Sequence, residues 1–339
     1  MRKLLNNLYV TLPQAYLSKE GETVLVRQEH ETRLRVPILA LEGIVCVGQV
    51  SMSPALMAFC AERNVGVSFL SEHGRFLARI QGPVHGNVLL RREQYRRADT
   101  EADSAAIARS VLLAKIANSR TSLLRAAREH ASETLDRAAN QLGESLQALA
   151  STTTLDALRG VEGDAAHNYF AVFDEMILQQ KEDFFFHERS RRPPLDNVNA
   201  LLSFLYVLLA HDVASALEIV GLDPAVGFLH RDRPGRAGLA LDLMEELRPV
   251  LADRLALTLI NRRQVTGSGF ARSDSGGVTM NDATRKEVLV AWQSRKQEEI
   301  LHPFLDERIP FGLVPYAQTL LLARHLRGDL DAYPSFFWR

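Results

Sequence analysis

The sequence predicts an α+β protein in which a small N-terminal β-rich domain precedes a large all-α C-terminal domain. Two observations support this division. Up to about residue 85, short apolar segments alternate with a period of two and are separated by turn residues, as in β-strands. Beyond about residue 88, apolar residues recur with a period near 3.6, which is typical of helices. We therefore assign residues 1–85 to the β-rich domain and residues 86–339 to the helical domain.

The strands of the first domain are short and rich in β-branched residues. Turn residues such as Lys19–Glu22 separate them. One helix interrupts the series, because Ser53 is a good N-cap and Pro54 suits the first helical position. This helix is expected to run to about Asn64. The predicted strands are Tyr9–Thr11, Thr23–Arg27, Arg33–Pro37, Ile44–Val47, Gly66–Leu70 and Phe76–Ile80.

In the second domain, Asp196–Ala210 is apolar on nearly every side and should form the central buried helix. Asn199, inside this helix, is expected to hydrogen-bond a neighbouring loop or to support a site. Arg272–Thr284 is rich in Gly, Ser and Asp and is the best candidate for a mobile loop. Asn281 or Asp282 would then cap the helix that follows.

Composition fits a soluble protein without identifying its function. The 339 residues are 46% hydrophobic and 24% charged, and the net charge is −1, so a nucleic-acid-binding surface would be a local patch. The 34 arginines and six lysines suit phosphate contacts, although a GC-rich genome explains this bias at least as well. Cys46 and Cys60 are expected to be reduced core residues. Without a signal peptide or an 18-residue apolar segment, the sequence predicts a cytoplasmic protein with no membrane partner.

Two segments of the helical domain contain candidate metal-binding residues. A loop places His230 before a helix that carries Asp242 and Glu245 on one face. One imidazole beside two carboxylates suits a divalent metal site for phosphodiester chemistry. Because this helix is otherwise apolar, the carboxylates should be partly buried, and a metal is the simplest way to relieve their repulsion. Upstream, Glu162 lies among small residues such as Gly160, which favour close backbone packing.

Each of these residues also has a structural explanation. Glu162 alone is more often the charge of a helix N-terminus. His230 alone is more often a satisfied core or loop histidine. Asp242 and Glu245 could form a solvated helix face next to Arg248. Their occurrence together in otherwise apolar segments favours the metal site.

Three motifs, taken in order, resemble those of the CRISPR-associated spacer-acquisition integrases, the "Cas-one" family. Residues 159–170, RGVEGDAAHNYF, resemble the glutamate motif of that family. Residues 191–209, RRPPLDNVNALLSFLYVLL, resemble its Arg-Pro-Pro, Asp and Asn-Ala-Leu-Leu signature. Residues 221–249, GLDPAVGFLHRDRPGRAGLALDLMEELRP, resemble its histidine and acidic motif. The family also joins a β-rich domain to a helical one, and residues 312–339 resemble its type I-C branch.

The resemblance implies that Glu162, His230 and Glu245 bind Mn²⁺ or Mg²⁺. It makes Asp242 an acidic neighbour that would orient the attacking group or a bound water. Gly238 is a departure, since the family commonly has serine there, but the ligands are intact.

The implied function is that of a metal-dependent DNA endonuclease and integrase. Such an enzyme inserts foreign DNA fragments into the CRISPR array when a 3′-OH attacks a repeat phosphodiester. Two other functions remain open from the residues: a stand-alone metal-dependent nuclease acting on branched DNA, and a non-catalytic DNA-bridging protein. Metal-dependent joining of DNA would separate all three.

The resemblance also implies three kinds of partner: double-stranded and branched DNA, a second copy of the chain, and the small "Cas-two" protein in a larger integration complex. Ile44, Val45, Val47 and Val50 predict an apolar edge strand suited to a homodimer. Clustered arginines are candidates for phosphate contacts, although a solvated helix face explains the first cluster equally well. These candidates are Arg91, Arg92, Arg96, Arg97, Arg189, Arg191, Arg192, Arg231, Arg233 and Arg236.

Overall fold

The structure is a computed structural model that describes residues 7–29, 31–41, 43–63, 65–71, 76–80, 82, 87–274 and 276–338. Its first part is rich in strands and its second part is mostly helical, which confirms the predicted fold class. In chain order, the first part contains β1 (Asn7–Val10), β2 (Tyr16–Glu20), β3 (Thr23–Gln28), β4 (Glu31–Pro37), β5 (Gly43–Val47), β6 (Ser51–Met52), α1 (Pro54–Glu62), β7 (Gly66–Leu70) and β8 (Phe76–Ile80).

These strands form two four-stranded sheets within the described residues. One sheet has the order β1-β5-β7-β8, in which β8 alone is antiparallel to its neighbour. The other has the order β4-β3-β2-β6, in which β2, β3 and β4 are antiparallel and β6 pairs with β2 in parallel. The β2–β3 hairpin turns at Gly21, whose φ of +57° is a conformation that glycine adopts without strain.

Each of the six predicted strands overlaps an observed one. β2 was not predicted because only its residue Leu17 is buried, so it lacks an apolar pattern. The predicted helix is α1, and the Ser53 side chain accepts a hydrogen bond from the Leu56 N–H at 3.2 Å. Asn64, where the sequence placed the end of this helix, lies outside the described residues.

The predicted edge strand is wrong, because β5 lies between β1 and β7 in the middle of its sheet. Ile44 and Cys46 pack into the core of the β-rich part. Val45 and Val47 point to the opposite face and pack into the core of the helical part. Val50 follows the strand and is also buried. Apolar residues on both faces therefore reflect a central strand that joins the two cores.

The helical part is built around one long apolar helix, α6, as the sequence predicts. Its N-cap is Asp196, and it packs against α7, α10 and the π-helical segment. Among the described residues, α6 is the one helix long and apolar enough to cross a membrane, but most of it is buried within the protein. The helical elements are α2 (Val88–Asp99), α3 (Glu101–His130), α4 (Glu133–Ser151), α5 (Leu155–Ala171), α6 (Asn197–Val220), α7 (Gly238–Glu245), the π-helical segment Arg248–Asp253, α8 (Arg254–Asn261), α9 (Asp282–Gln297) and α10 (Val314–Leu326).

The helical part also contains two short hairpins. The first pairs β9 (Phe270–Arg272) with β10 (Val278–Met280) and occupies much of the segment predicted to be a mobile loop. That prediction is therefore wrong for the strand residues, whereas Asn281 caps α9 as predicted. The second hairpin pairs β11 (Glu299–His302) with β12 (Glu307–Pro310).

Candidate functional site

Glu162 lies in the third turn of α5, so it is not the charge of a helix N-terminus. Its side chain is 29% exposed, and its Oε1 accepts a hydrogen bond from Nζ of Lys115 on α3. A Cβ added to Gly160 or Gly163 would meet nothing within 4 Å. These glycines therefore face open space, and the prediction that they allow close backbone packing is wrong.

His230 is oriented by Asp242, which is almost completely buried. Oδ1 of Asp242 lies 2.6 Å from Nδ1 of His230 and also accepts the His230 backbone N–H at 3.0 Å. Its Oδ2 accepts the backbone N–H groups of Phe228 and Leu229 at 2.6 and 3.0 Å. Both oxygens are engaged, so Asp242 positions the histidine loop, and its predicted role of orienting the attacking group or a bound water stays a prediction.

Two glycines allow this loop to lie against α7. A Cβ on Gly227 would come within 2.7 Å of Asp242 Oδ2, and a Cβ on Gly238 within 2.7 Å of the Ala225 carbonyl oxygen. The departure from the family pattern at Gly238 thus has a structural consequence. Any side chain there would displace the loop that carries His230.

Glu245, the last residue of α7, has a side chain only 3% exposed and contacts two cations. Arg248 donates to its Oε1, and Lys115 Nζ lies 2.8 Å from its Oε2. Burial alone would raise the pKa of Glu245, but Arg248 and Lys115 outweigh burial and hold that pKa at about 2. Protein cations therefore already compensate the charge of Glu245, and a metal beside this carboxylate stays a prediction.

Within the described residues, no three His, Cys, Asp or Glu side chains converge closely enough to form a metal centre as they stand. The donor chemistry nevertheless fits a divalent ion. Asp242 occupies Nδ1 of His230, an arrangement that leaves Nε2 for a ligand. The buried Oε2 of Glu245 contacts Lys115 Nζ at 2.8 Å and accepts no hydrogen bond from another described residue. His230 is also close enough to Glu245 to lower the pKa of that carboxyl.

A pocket of about 500 Å³, including space open to solvent, is lined by Glu162 but not by His230 or Glu245. Its lining is charged in one part, where Glu162, Lys115 and Arg248 meet. Aromatic side chains, Phe170 among them, line another part, and Arg191 reaches the pocket from the segment before α6. The pocket could therefore hold a ligand that combines negative charge with flat apolar groups.

A buried tyrosine–aspartate cluster supports one wall of this pocket. Tyr206 and Tyr169 donate from their hydroxyls to Asp253 at 2.7 and 3.1 Å. The guanidinium groups of Arg189 and Arg248 lie 5.2 and 5.0 Å from the centre of the Tyr206 ring. Burial raises the pKa of Asp253 to about 6, although both tyrosine hydrogen bonds oppose the shift. The cluster fixes Arg248, which in turn holds Glu245.

The arginines before α6 have different environments. Arg189 is engaged inside the protein, because it donates to Asn199 Oδ1 at 2.6 Å and to Ser203 Oγ at 3.0 Å. Asn199 also donates to the carbonyl of Glu188 at 2.8 Å, which confirms its predicted bond to a loop. Arg191 is exposed beside the pocket and is the better placed of the two for a phosphate.

The remaining candidate arginines are Arg192, which lies before α6, and those on α2 and on the loop after His230. Arg97 pairs with Glu93 at 3.1 Å, and Arg231 pairs with Asp156 at 2.8 Å. Contacts with DNA stay a prediction for these residues. Those that are exposed are Arg92, Arg96, Arg192, Arg231 and Arg233, and those that are partly buried are Arg91, Arg97 and Arg236.

Glu246, which follows Glu245 in the chain, contacts a separate network of neutral hydrogen-bond donors. Its Oε1 accepts from the Tyr333 hydroxyl at 2.7 Å. Its Oε2 accepts from Gln318 Nε2 at 3.0 Å and from the Phe336 N–H at 2.7 Å. Burial raises the pKa of Glu246 to about 7 against these hydrogen bonds. The network fastens the segment of residues 333–338 to the end of α7.

Sequence reasoning missed the cations of the site, above all Lys115. The available signal was its setting, a single lysine in the apolar run VLLAKIA. Arg248 was noted only as a neighbour of a solvated helix face, whereas its side chain is 15% exposed.

Comparison with known proteins identifies close relatives of the chain. The family model described as "CRISPR associated protein Cas1" matches residues 8–294. CRISPR-associated endonuclease Cas1 1 of Chlorobaculum tepidum is 52% identical over 343 residues, covering 100% of both chains. CRISPR-associated endonuclease Cas1 2 of Rhodospirillum rubrum is 52% identical over 347 residues, again covering 100% of both.

Solved structures share the fold at lower sequence identity. A CAS1 protein from Thermotoga maritima has a TM-score of 0.83 at 22% identity, covering 95% of this chain and 97% of that one. A casposase bound to integration product has a TM-score of 0.86 at 20% identity, covering 98% and 94%. A Cas6-RT-Cas1–Cas2 complex has a TM-score of 0.82 at 22% identity, and the match covers 99% of this chain and 36% of that one.

Proposed function

Because the chain belongs to the Cas1 family of CRISPR-associated proteins, we propose that it is a metal-dependent DNA endonuclease and integrase. It inserts foreign DNA fragments into a CRISPR array by attack of a fragment 3′-OH on a repeat phosphodiester. The observation that supports this proposal is that Lys115 contacts both Glu162 and Glu245, in a chain whose full-length relatives are named endonucleases.

In this proposal, Glu162, His230 and Glu245 would hold Mn²⁺ or Mg²⁺, and the bound ion would polarise the scissile phosphate and stabilise its developing charge. Asp242 holds the imidazole in one orientation through Nδ1. Arg248 keeps Glu245 ionised at neutral pH, as a ligand must be.

The arginines supply phosphate contacts that position DNA without reading its sequence. Arg191 is the first candidate, since it lines the pocket beside Glu162. The same site with water as the nucleophile would hydrolyse DNA. A stand-alone nuclease for branched DNA and a non-catalytic DNA-bridging protein therefore remain the alternatives to be tested.

We further propose that the protein works as a homodimer together with a Cas2 partner on double-stranded and branched DNA. The solved Cas6-RT-Cas1–Cas2 complex, which shares this fold, supports the Cas2 partner. For the dimer, β4 replaces β5 as the candidate strand, because β4 is a sheet edge and all but one of its residues are exposed. We also propose that the chain belongs to the type I-C branch and that it is cytoplasmic. A cytoplasmic location suits the free thiols Cys46 and Cys60.

The decisive experiment incubates the protein and Cas2 with a 3′-OH oligonucleotide, a repeat-containing plasmid and Mn²⁺. We expect covalent joining that requires the metal and is abolished by Glu162→Ala, His230→Ala or Glu245→Ala, because ligands act as a unit. Cutting without joining would favour the stand-alone nuclease. Binding without metal-dependent chemistry would favour the bridging protein.

A further inference from the structure

Lys115 occupies the space between two of the carboxylates assigned to the metal. Its Nζ contacts Glu162 Oε1 and lies 2.8 Å from Glu245 Oε2. Its side chain is 14% exposed, and it approaches both carboxylates from α3. An ion coordinated by these two glutamates needs the same oxygens that the ammonium contacts.

The net charge of the side chains around the proposed ion determines what happens when the ion and the ammonium compete for the same oxygens. Glu162 and Glu245 carry two negative charges, and Lys115 and Arg248 carry two positive charges, so the cluster is neutral without further ions. A divalent ion added to this cluster leaves positive charge in excess, even when the carboxylate of Asp242 beside His230 is counted. Phosphate groups of DNA are the ligands that would neutralise this excess.

The pocket that Lys115 lines offers its ammonium a second position, away from the two carboxylates. Lys115 lines the same open pocket as Glu162, Arg191 and Arg248, and Arg191 is exposed there. A lysine side chain has a flexible four-carbon stem, which allows a change of partner without a change in the helix. The displaced ammonium would therefore still face the proposed DNA site.

We propose that Lys115 is a positioning residue that competes with the divalent ion for Glu162 and Glu245 and thereby couples ion binding to DNA binding. This inference rests on the proposed function, because it takes both glutamates to be ligands. When the ion binds, Lys115 exchanges a carboxylate for a DNA phosphate. Coupling between two ligands is reciprocal, so DNA strengthens ion binding by the factor by which the ion strengthens DNA binding.

The test measures Mn²⁺ binding by titration calorimetry, with and without a duplex oligonucleotide that has 3′ overhangs. Lys115→Met removes the competing charge and keeps most of the stem. We expect this variant to bind Mn²⁺ about tenfold more tightly than wild type without DNA, within the usual range of coupling factors. DNA should then strengthen Mn²⁺ binding less in the variant than in wild type.

Two further variants control the result. Lys115→Arg keeps the charge and can pair with a carboxylate through two N–H groups, so it should bind Mn²⁺ no more tightly than wild type. Lys181→Met removes an exposed lysine that pairs with Asp174 and should behave as wild type. Lys115→Arg also retains the ion pairs, so it reports on competition if Lys115→Met is unstable.

The outcomes separate this inference from the proposed function. If Lys115→Met binds Mn²⁺ no more tightly than wild type, or if Lys115→Arg binds it more tightly, competition is refuted while the metal site stands. If neither wild type nor Lys115→Met binds Mn²⁺, the metal assignment fails and this inference fails with it.

Discussion

Glu245 and Glu246 are consecutive and both buried, yet their carboxylates have opposite surroundings. We call Glu245 with Lys115 and Arg248 the cationic cluster, because both partners carry positive charge. We call Glu246 with its three hydrogen-bond donors the neutral network. Burial acts in the same direction on both carboxylates. The cations nevertheless hold the pKa of Glu245 at about 2, whereas the neutral donors leave that of Glu246 at about 7.

The difference shows what keeps a buried carboxylate ionised. Three hydrogen bonds from neutral donors do not offset the loss of water around Glu246, whereas two nearby positive charges do so for Glu245. A carboxylate must be ionised to bind a metal ion, so the cationic cluster suits a metal-binding role for Glu245. The neutral network suits a structural link, because Glu246 binds Tyr333 and the Phe336 N–H at the end of α7.

The largest expected effect comes from exchanging each glutamate for glutamine. Glu245→Gln should reduce metal-dependent DNA joining by at least about 10³-fold, because it removes a proposed ligand. Glu246→Gln has nearly the same shape and should reduce joining by less than about tenfold, the lower range for residues that act through a neighbour. Joining rates measured with equal amounts of folded protein would test this contrast.

Thermal melts and DNA-binding curves for both variants serve as the controls. Both proteins should remain folded and bind DNA, which places the loss in the chemical step. Equal losses of joining for the two variants would show that the end of α7 tolerates no change, and the functional distinction between the two glutamates would disappear.

A second prediction concerns stability against pH. The folded pKa of Glu246 is raised from 4.5 to about 7, so its contribution is fully present below pH 4.5 and is lost as the pH rises through 7. The free energy of unfolding of wild type should therefore lose about 3 kcal/mol between pH 4.5 and 8 from this residue alone. Urea unfolding of Glu246→Gln should lack this decline.

Glu245→Gln is the matched control for the pH series. The pKa of Glu245 is lowered to about 2, so its contribution is lost only as the pH falls from 4.5 towards 2. Between pH 5 and 8, this variant should therefore follow the slope of wild type. A Glu246→Gln variant with the wild-type slope would mean that Glu246 is already ionised at pH 5.

The sequence predicted the fold class, and it singled out Glu162, His230 and Glu245 because each lies within a local motif; their binding of one metal ion stays a prediction. It did not predict the cationic cluster, since Lys115 on α3 contacts Glu245 on α7, far along the chain, and no local pattern encodes that contact. β5 was misassigned for a related reason. Alternation alone cannot distinguish an edge from a central strand; that depends on which elements cover its two faces.

The smallest expected effect is a difference in the salt dependence of DNA binding between a variant near the cationic cluster and one near the neutral network. Arg191 lines the pocket beside the cationic cluster, whereas the guanidinium of Arg254 lies 5.4 Å from the ring centre of Trp338, next to the neutral network. Arg191→Gln should lower the slope of log affinity against log salt by about 0.9, the value for one lost phosphate contact on duplex DNA. Arg254→Gln removes the same charge and should leave the slope unchanged.

Salt titrations on two unrelated duplex sequences would measure both slopes. Arg191→Gln should weaken binding to the two sequences equally, because a phosphate contact carries no base information. An unchanged slope would remove Arg191 from the path of the DNA. An equal fall for both variants would mean that net charge alone governs binding, and the cationic cluster would then have no special claim to lie beside the DNA.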